Sequence, residues 1–381
     1  MEVDEGDPFN ELLQAKSLNK IKSLNIFRSV KSEVVEGSSP VTKIINIDVE
    51  EKPTGEISLG AGFGTTGGTL GFSVAENNFL GKALKLKTSL KLGEDSIRGN
   101  FLVENPNFNY SGRALFTNIE SSKTDKLKVS GYETSKTGFS VGTAFEEYEN
   151  FYIRPKFSIF SEKIVTNSAA STALKKQEGN FFETMLNYDL DYDLRDKRYQ
   201  TTEGIRSTFS QGIPIYSDDN SLYNAYGITK WHKFYNEMIS DLSFNIKAIN
   251  SLTDKDVKIS KRLGISSTKL RGFESGKIGP RDGTDYIGGN YAMSVNFNTT
   301  LPMLLPSFEN IDIKYFIDVA NLWGVDYSDT VDDSNTIRSS TGLAVDLFTP
   351  IGPLNFSISQ SLSKADSDKT EAFQFNLGTT F

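Results

Sequence analysis

The sequence predicts an all-β protein, a sixteen-stranded transmembrane β-barrel preceded by a partial α+β segment. Two observations carry this prediction. From Gly55 onward, apolar and polar residues alternate with a period of two, which is the period of a strand with one buried face. The alternating segments are about ten residues long, the length that crosses a membrane, whereas strands of soluble proteins average about five or six.

The composition is compatible with a membrane barrel. The 381 residues include 27 Phe, 15 Tyr and 31 Gly. Mean hydropathy is only -0.35, and no apolar run approaches the ~18 residues of a membrane helix. A barrel strand faces lipid with alternate residues only, so a near-neutral average is expected. The lack of cysteine excludes disulfides and thiolate metal sites, and the net charge of -8 argues against a nucleic-acid partner.

Residues 1–53 differ in pattern from the rest of the chain. Six apolar residues recur there at helical spacing: Leu12, Leu13, Ala15, Leu18, Ile21 and Leu24. Two short strands are expected at 31–36 and 42–51, with a turn at 37–40 between them. A helix and a hairpin of this size are marginal alone, so the segment is predicted to be part of a small α+β module.

The remainder, residues 54–381, is predicted to form one barrel. Leucines alternate with lysines in residues 83–92, for example. Residues 126–146 could hold two strands instead of one, because residues 134–137 resemble a turn. The predicted strands lie near residues 56–64, 68–75, 83–92, 96–104, 110–120, 126–146, 150–162, 180–191, 203–211, 222–235, 238–249, 289–300, 310–320, 338–348, 352–362 and 370–381.

A soluble all-β protein is the alternative, because its strands would alternate as well. The length of the predicted strands disfavours this alternative. In lipid, moreover, every backbone polar group must be paired, and only closure of the sheet removes its edges. An even number of strands also places both chain ends on the same side of the membrane.

The longest stretch without strand pattern covers residues 254–288, and it is predicted to be a folded loop inside the barrel. A loop of this length in a compact β protein is either functional or disordered. This one contains side chains that can pack, including Arg271, Phe273 and Tyr286. A barrel of this width has a water-filled interior that can hold such a loop.

The motifs with possible chemistry do not predict an enzyme, a metal site or a cofactor. Gly138-Phe-Ser-Val-Gly142 matches a hydrolase elbow, but it lies within a predicted strand, and His232 is the single histidine of the chain. The acidic stretches 326–333 and 366–368 lack the pattern of a calcium loop and are interpreted as solvated turns.

The glycine-rich residues 55–71 are unusual for a barrel wall. Each glycine within a strand costs about 0.5–1 kcal/mol relative to alanine, and glycine-rich strands hold their register weakly. One interpretation is a tight bend or close packing of a loop against the wall. The other is that the first strand must be able to separate from the last.

Several collinear motifs resemble the barrel-assembly superfamily, which includes bacterial BamA, the chloroplast import pore and the mitochondrial sorting-and-assembly-machinery barrel subunit. Leu270-Arg-Gly-Phe273 resembles the loop motif of this family. Residues 60–81 are similar to its first strands, residues 316–324 to a later strand, and residues 351–362 and 371–381 to its last two strands.

The N-terminal segment resembles the end of a POTRA module, the domain that precedes the barrel in this family. The single partial POTRA-like segment at residues 1–53 and the residues that make up the motifs are most similar to the fungal mitochondrial member. The likeness extends over nearly the whole chain.

The resemblance implies a lateral gate between the first and last strands, where a precursor's C-terminal β-signal pairs with the first strand by β-augmentation. The first-strand residues that pair with substrate would be Ile57, Ser58, Leu59, Gly60, Ala61, Gly62, Phe63 and Gly64. The gate residues of the last strand would be Phe373, Gln374, Phe375, Asn376, Leu377 and Gly378. Ile57, Leu59, Ala61 and Phe63 are expected to face lipid and the glycines the lumen, and cysteines at Gly62 and Gln374 are expected to cross-link.

The resemblance also implies that Arg271 binds a carboxylate of the barrel wall. Asp318, on the polar face of its strand, is the expected partner, and a guanidinium can bind it through two hydrogen bonds. The chain has Asn298 where bacterial members carry a second acidic partner, so the clamp is either simpler here or completed by Asp346. The alternative is that Arg271 is hydrated in a wide lumen.

The implied function is the folding and insertion of β-barrel precursors into the mitochondrial outer membrane. The N-terminal segment would face the intermembrane space. Expected partners are the precursors, membrane lipids, metaxin-like subunits on the cytosolic face and, as a further possibility, a second barrel. A polypeptide-translocating pore of the same superfamily is the alternative function, and a plain solute porin is disfavoured by the long loop.

Overall fold

The N-terminal part of the computed structural model is a helix followed by a β-hairpin. The structure describes residues 5–39, 41–198, 200–218, 220–234, 237–304, 310–326, 331–333, 335–349 and 352–378. Helix α1 (Glu11–Ser23) is capped by the Asn10 side chain, which accepts hydrogen bonds from two backbone amides of the first turn. Strands β1 (Phe27–Glu36) and β2 (Lys43–Glu51) pair antiparallel.

The prediction that α1 buries an apolar face is only partly correct. Gln14 and Ser17 are the buried residues of the helix, and Leu12 is 76% exposed. The Gln14 amide donates to the Ser32 hydroxyl on β1 at 2.8 Å, so a polar contact joins helix and hairpin. The observed hairpin begins earlier than predicted, because Phe27 already pairs with Glu51.

Sixteen strands form one closed antiparallel barrel, which confirms the predicted fold class. β20 pairs with β3, so the last strand closes the sheet onto the first. The barrel strands are β3 (Gly55–Gly64), β4 (Gly67–Phe79), β5 (Leu84–Gly93), β6 (Ser96–Asn105), β7 (Ala114–Lys126), β8 (Tyr132–Tyr148), β9 (Phe151–Thr166), β10 (Gly179–Asp193), β11 (Gly204–Ser217), β12 (Ser221–Lys233), β13 (Ile239–Ser251), β16 (Tyr291–Thr300), β17 (Ile311–Trp323), β18 (Arg338–Thr349), β19 (Gly352–Ser363) and β20 (Phe373–Gly378).

Each of these strands overlaps one predicted segment, and the errors are at boundaries. The fifth segment was expected from residue 110, but Asn109 and Tyr110 have positive φ angles and form a turn, so β7 begins at Ala114. The alternative of two strands within 126–146 is wrong. Residues 134–137 pair with strands on both sides and lie inside the single strand β8. The predicted residues 379–381 of the last strand lie outside the described residues.

The two faces of the wall differ as the alternation predicts. Apolar side chains such as Ile57, Leu59 and Leu242 point outward and are highly exposed, with Leu59 at 79%. Serine, asparagine and aspartate side chains such as Ser158, Ser340 and Asp318 point inward and are buried. An exposed apolar exterior around a polar interior is the pattern of a barrel surrounded by lipid. None of the helices in the described ranges is long and apolar enough to cross a membrane.

The long connection between β13 and β16, residues 252–290, is named here the lumenal loop. Because the strands alternate in direction, β13 ends at the rim opposite to the one where β3 begins, and the loop starts from that far rim. It contains a small hairpin, β14 (Arg281–Asp282) and β15 (Asp285–Tyr286). At the same rim, the connection between β9 and β10 contains α2 (Thr172–Lys175), whose Leu174 packs with Ile259 of the lumenal loop.

Candidate functional site

Arg271 of the lumenal loop lies against Asp318 on the lumenal face of β17. Its Nε and Nη2 atoms donate to the two carboxylate oxygens of Asp318, each at 2.7 Å, and its backbone amide donates to Oδ2 at 3.0 Å. The guanidinium carbon lies 3.5 Å from the ring centre of Phe316, two residues earlier on β17. A bidentate ion pair combined with aromatic stacking fixes both the position and the orientation of the guanidinium.

Asn298 connects this pair to a second carboxylate. Its Oδ1 atom accepts a hydrogen bond from Arg271 Nη2 at 2.7 Å, and its Nδ2 atom donates to Asp241 Oδ2 at 2.8 Å. The second acidic partner that the resemblance places at position 298 on β16 is therefore replaced by Asp241 on the neighbouring strand β13. The side-chain amide of Asn298 connects Asp241 to Arg271. Asp346, the alternative partner, instead forms an ion pair with Lys314 at 2.6 Å.

The carboxylate of Asp318 has further donors and no exposure. Its side chain is 0% exposed, and Asn296 Nδ2 donates to Oδ1 at 2.8 Å. The same Asn296 amide donates to the backbone carbonyl of Lys269, so the loop is held on both sides of Leu270. Burial lowers the pKa of the Lys269 ammonium, although Asp241 and Asp318 oppose this effect. A guanidinium keeps its charge in such a place, which suits Arg271 to the clamp.

Exchange of the amide and the acid tests the relay. We expect Asn298→Asp alone to loosen the loop, because it places two carboxylates side by side in a partly buried position. The double variant with Asp241→Asn is expected to restore docking, since the donor and acceptor then change places. The rate of chymotrypsin cleavage at Phe273 in the folded barrel measures docking. If repulsion between the two carboxylates costs about 1.4 kcal/mol, the equivalent of one pKa unit, the single variant should be cleaved roughly ten times faster. Equal rates in both variants would contradict the relay.

The remaining residues of the Leu270–Phe273 motif pack into the barrel. Leu270 and Phe273 are both 1% exposed, and with Ile278 they form an apolar cluster on the wall residues Ala320 and Leu322. Gly272 has a φ angle of +87°, and an added Cβ would lie 3.0 Å from the Ser359 hydroxyl. Glycine is required there because the backbone is left-handed and the loop touches the wall.

The lumenal loop also binds the residues directly before the last strand. Backbone hydrogen bonds run from Glu274 to Lys369, from Lys369 to Lys277 and from Glu371 to Gly272. Gln374, the second residue of β20, donates from its side chain to the Phe273 carbonyl at 2.8 Å. The loop motif and the last strand are therefore joined directly, a connection that the sequence does not reveal.

A buried ion pair supports this connection. Arg338 on β18 donates from Nε to Asp368 Oδ2 at 2.8 Å, and both side chains are 0% exposed. Asp368 also accepts hydrogen bonds from the backbone amides of Gly279 and Ala365. The interpretation of residues 366–368 as a solvated turn is thus wrong for Asp368. The sequence does not indicate that Asp368 is buried, because no periodic pattern in this acidic run distinguishes it from the exposed Asp366.

Asp368→Asn tests the importance of the pair. The substitution leaves the Arg338 guanidinium buried without a counter-charge, and removal of one partner of a buried pair typically costs about 3–5 kcal/mol. We expect a clear fall in the temperature at which the barrel loses its compact gel mobility. Asp366→Asn, an identical change at an exposed position two residues away, is the matched control. Equal melting of the two variants would show that the pair contributes nothing.

The loop has a second set of contacts on the opposite wall. Lys261 Nζ forms an ion pair with Glu183 of β10 at 2.6 Å, and the Ser260 hydroxyl donates to Glu162 of β9 at 3.1 Å. Ile259 packs there in an apolar cluster with Ile164 of β9. The loop therefore spans the lumen between two walls. No motif points to these residues in the sequence.

The seam between β3 and β20 is short. Within the described residues it has three registered pairs, from Gly64 with Asn376 to Gly62 with Gly378, whereas β3 and β4 have ten. One further backbone hydrogen bond joins Thr65 to Phe375 at 3.1 Å. On the outer face, the rings of Phe63 and Phe375 are 5.9 Å apart. Among the described residues, this seam is therefore held by fewer backbone pairs than the neighbouring β3–β4 junction.

Gly60, Gly62 and Gly64 of β3 lie on the lumenal face, while Ile57, Leu59, Ala61 and Phe63 are exposed on the outer face, as expected. At Gly64 an added Cβ would lie 2.6 Å from the Phe375 carbonyl oxygen, so close packing accounts for glycine at this position. The expected proximity of Gly62 and Gln374 is wrong. Gly62 pairs with Gly378, and Gln374 points toward the lumenal loop instead.

Comparison with known proteins places this architecture in a family. A family model described as the Omp85 superfamily domain matches residues 78–381. The outer membrane protein assembly factor BamA of Neorickettsia risticii is 25% identical over 398 residues, covering 100% of this chain and 52% of that protein. A SAM50-like protein of Schizosaccharomyces pombe is 23% identical over 409 residues, covering 100% of this chain and 85% of that protein.

Solved structures show the same barrel fold. The crystal structure of BamA from Haemophilus ducreyi lacking POTRA domains 1-3 matches with a TM-score of 0.87 at 22% identity, covering 100% of this chain and 80% of that one. The chain spans about half the length of the bacterial curated relatives it matches. Since the family model extends from within β4 to the last residue, the chain belongs to the Omp85 superfamily.

Proposed function

We propose that this chain folds and inserts β-barrel precursors into an outer membrane through the seam between β3 and β20. The main support for this proposal is the unequal pairing of β3, which has ten registered pairs with β4 and three with β20 among the described residues. The last strand of a precursor pairs with the edge of β3 that β20 leaves when the seam opens. Similarity to proteins named BamA assembly factors supports this function.

The proposed mechanism requires no covalent bond to be made or broken. A strand edge exposed to lipid is costly, because the hydrocarbon offers no hydrogen-bond partners for its backbone. The freed edge of β3 supplies these partners to the first strand that enters, and therefore lowers the barrier to insertion. The residues that act are those of β3 from Ile57 to Gly64 and those of β20 from Phe373 to Gly378.

We further propose that the membrane is the mitochondrial outer membrane. The likeness to the SAM50-like protein, which covers 85% of that relative, supports this location. In this arrangement the N-terminal helix and hairpin are the end of a POTRA-like module that faces the intermembrane space. Metaxin-like subunits would then bind at the cytosolic rim, where the lumenal loop begins.

Reconstitution tests the function against its alternatives. The purified chain is inserted into phosphatidylcholine liposomes, and a urea-unfolded barrel precursor is added. Insertion is expected to produce the heat-sensitive gel mobility of a folded precursor, at a rate above that of empty liposomes. Entry of a soluble polypeptide into the liposomes, without precursor folding, would instead indicate a translocating pore. Steady ion conductance with neither activity would indicate a porin.

A further inference from the structure

Three basic residues line the lumen beside the first strands, and none of them has an acidic partner in the part of the chain that the structure describes. Lys87 and Lys91 lie on β5 and Arg98 on β6, and all three are exposed. Registered pairing links Gly60, Gly71, Lys91 and Arg98 in one row across four strands, on the side of the wall opposite to the outward-facing Leu59. These three cations are named here the basic track.

The basic track breaks a local rule of sheet stability. Lys91 and Arg98 are direct cross-strand partners, and like charges in this position repel each other. Among the described residues, no carboxylate lies within ion-pair distance of any of the three. The same two strands pair Lys85 with Glu104 at 3.2 Å, so this wall does carry an ion pair elsewhere. An uncompensated violation of this kind is typical of a functional site.

A cleft lies between the basic track and the first strand. It has a volume of about 140 Å³, and its lining includes Gly60, Gly62 and Gly71 together with Lys87 and Lys91. Because the glycines have no side chains, the backbone of β3 itself forms part of the cleft wall, and the two lysines of β5 line the cleft with it. Its volume is sufficient for one side chain of an extended chain.

The spacing of the basic track fits an extended polypeptide. Lys87 and Lys91 are four residues apart on one face of β5, about 13 Å, and β5 lies about 10 Å from β3. Side chains on one face of an extended segment recur every two residues, about 7 Å apart, so alternate ones of these match this separation. The overall charge of the chain is -8, so a local excess of cations is not a general property of its surface.

We propose that Lys87, Lys91 and Arg98 bind the carboxylate side chains of an extended precursor segment that enters the lumen beside β3. This inference rests on the proposed insertase function and adds to it a preference for acidic residues on one face of the entering segment. Cations in a cleft with low-dielectric walls attract anions more strongly than they would on an open surface. The contacts orient the segment while its backbone pairs with β3.

A binding experiment tests the track directly. The full chain is placed in phosphatidylcholine nanodiscs, and two fluorescent 12-residue peptides are titrated, one of alternating Glu and Thr and one of alternating Gln and Thr. We expect preferential binding of the Glu peptide, and a loss of about tenfold for the variant K87Q/K91Q/R98Q, because exposed ion pairs contribute modestly and three are removed. The control K16Q/K22Q/K82Q removes three exposed cations outside the lumen and is expected to bind normally.

Other results of the peptide, lipid and liposome experiments would decide against the track or against the insertase function. Equal binding of the two peptides, or unchanged binding by the track variant, would overturn the proposal. Loss of the Glu-peptide preference when phosphatidylglycerol is added, with the anionic lipid bound by wild type and not by the track variant, would assign the track to lipid headgroups and also overturn it. The peptide assay does not depend on precursor folding. Failure of the liposome assay with an intact peptide preference would therefore count against the insertase function and not against the track.

Discussion

Replacing Arg271 by alanine is expected to release the lumenal loop and to reduce precursor assembly severely. The substitution leaves the fully buried Asp318 carboxylate without its bidentate partner, and such a change typically costs about 3–5 kcal/mol. Since 1.4 kcal/mol is a factor of ten, the loop should open more than about a hundredfold more often. Chymotrypsin cleavage at Phe273 and the liposome assembly assay measure the two effects.

Two further variants separate the geometry of the clamp from its charge. Arg271→Lys keeps the positive charge, but an ammonium cannot bind both carboxylate oxygens in a plane, and burial lowers the pKa of the neighbouring Lys269. We therefore expect Arg271→Lys to restore little. Combining Arg271→Ala with Asp318→Asn removes the uncompensated charge and should recover barrel stability without loop docking. Normal assembly by Arg271→Ala would show that loop docking is not needed for activity.

A disulfide across the seam is expected to stop assembly. Phe63 and Leu377 are registered partners on the outer face of β3 and β20. Directly opposed residues of antiparallel strands have Cα atoms about 4.5–5.5 Å apart, within the range of a disulfide. The variant F63C/L377C should therefore cross-link on oxidation, lose precursor assembly to the level of empty liposomes and regain it on reduction. The chain has no other cysteine, so the reaction has a single product.

The control for this experiment is a disulfide in a fully paired part of the wall. Phe139 and Ile159 are registered partners on β8 and β9, and Phe139 is exposed on the outer face. The variant F139C/I159C should cross-link without a change in assembly, because no opening is proposed there. If the seam disulfide formed completely and assembly continued, the precursor could not enter between β3 and β20.

Connections that cross the lumen could not be predicted in the same way as the strands. The Arg271–Asp318 contact was expected from a motif, but its completion by Asp241 through Asn298 depends on strands that meet only in the barrel. Gln374 and Phe273 are 101 residues apart in sequence, and Asp368 looked like part of a solvated acidic turn. The seam register was also misjudged, since alternation defines a face and not a partner.

The sequence alone determined the all-β class, the strands and the division of the wall into outer and lumenal faces. It could do so because a strand places successive side chains on opposite sides, so one local pattern encodes burial on each face. The folded barrel was needed to show which residues meet across the lumen, how the seam is registered and which cations have no carboxylate nearby among the described residues. Those features depend on closure of the barrel, which brings together residues that no short-range periodicity relates.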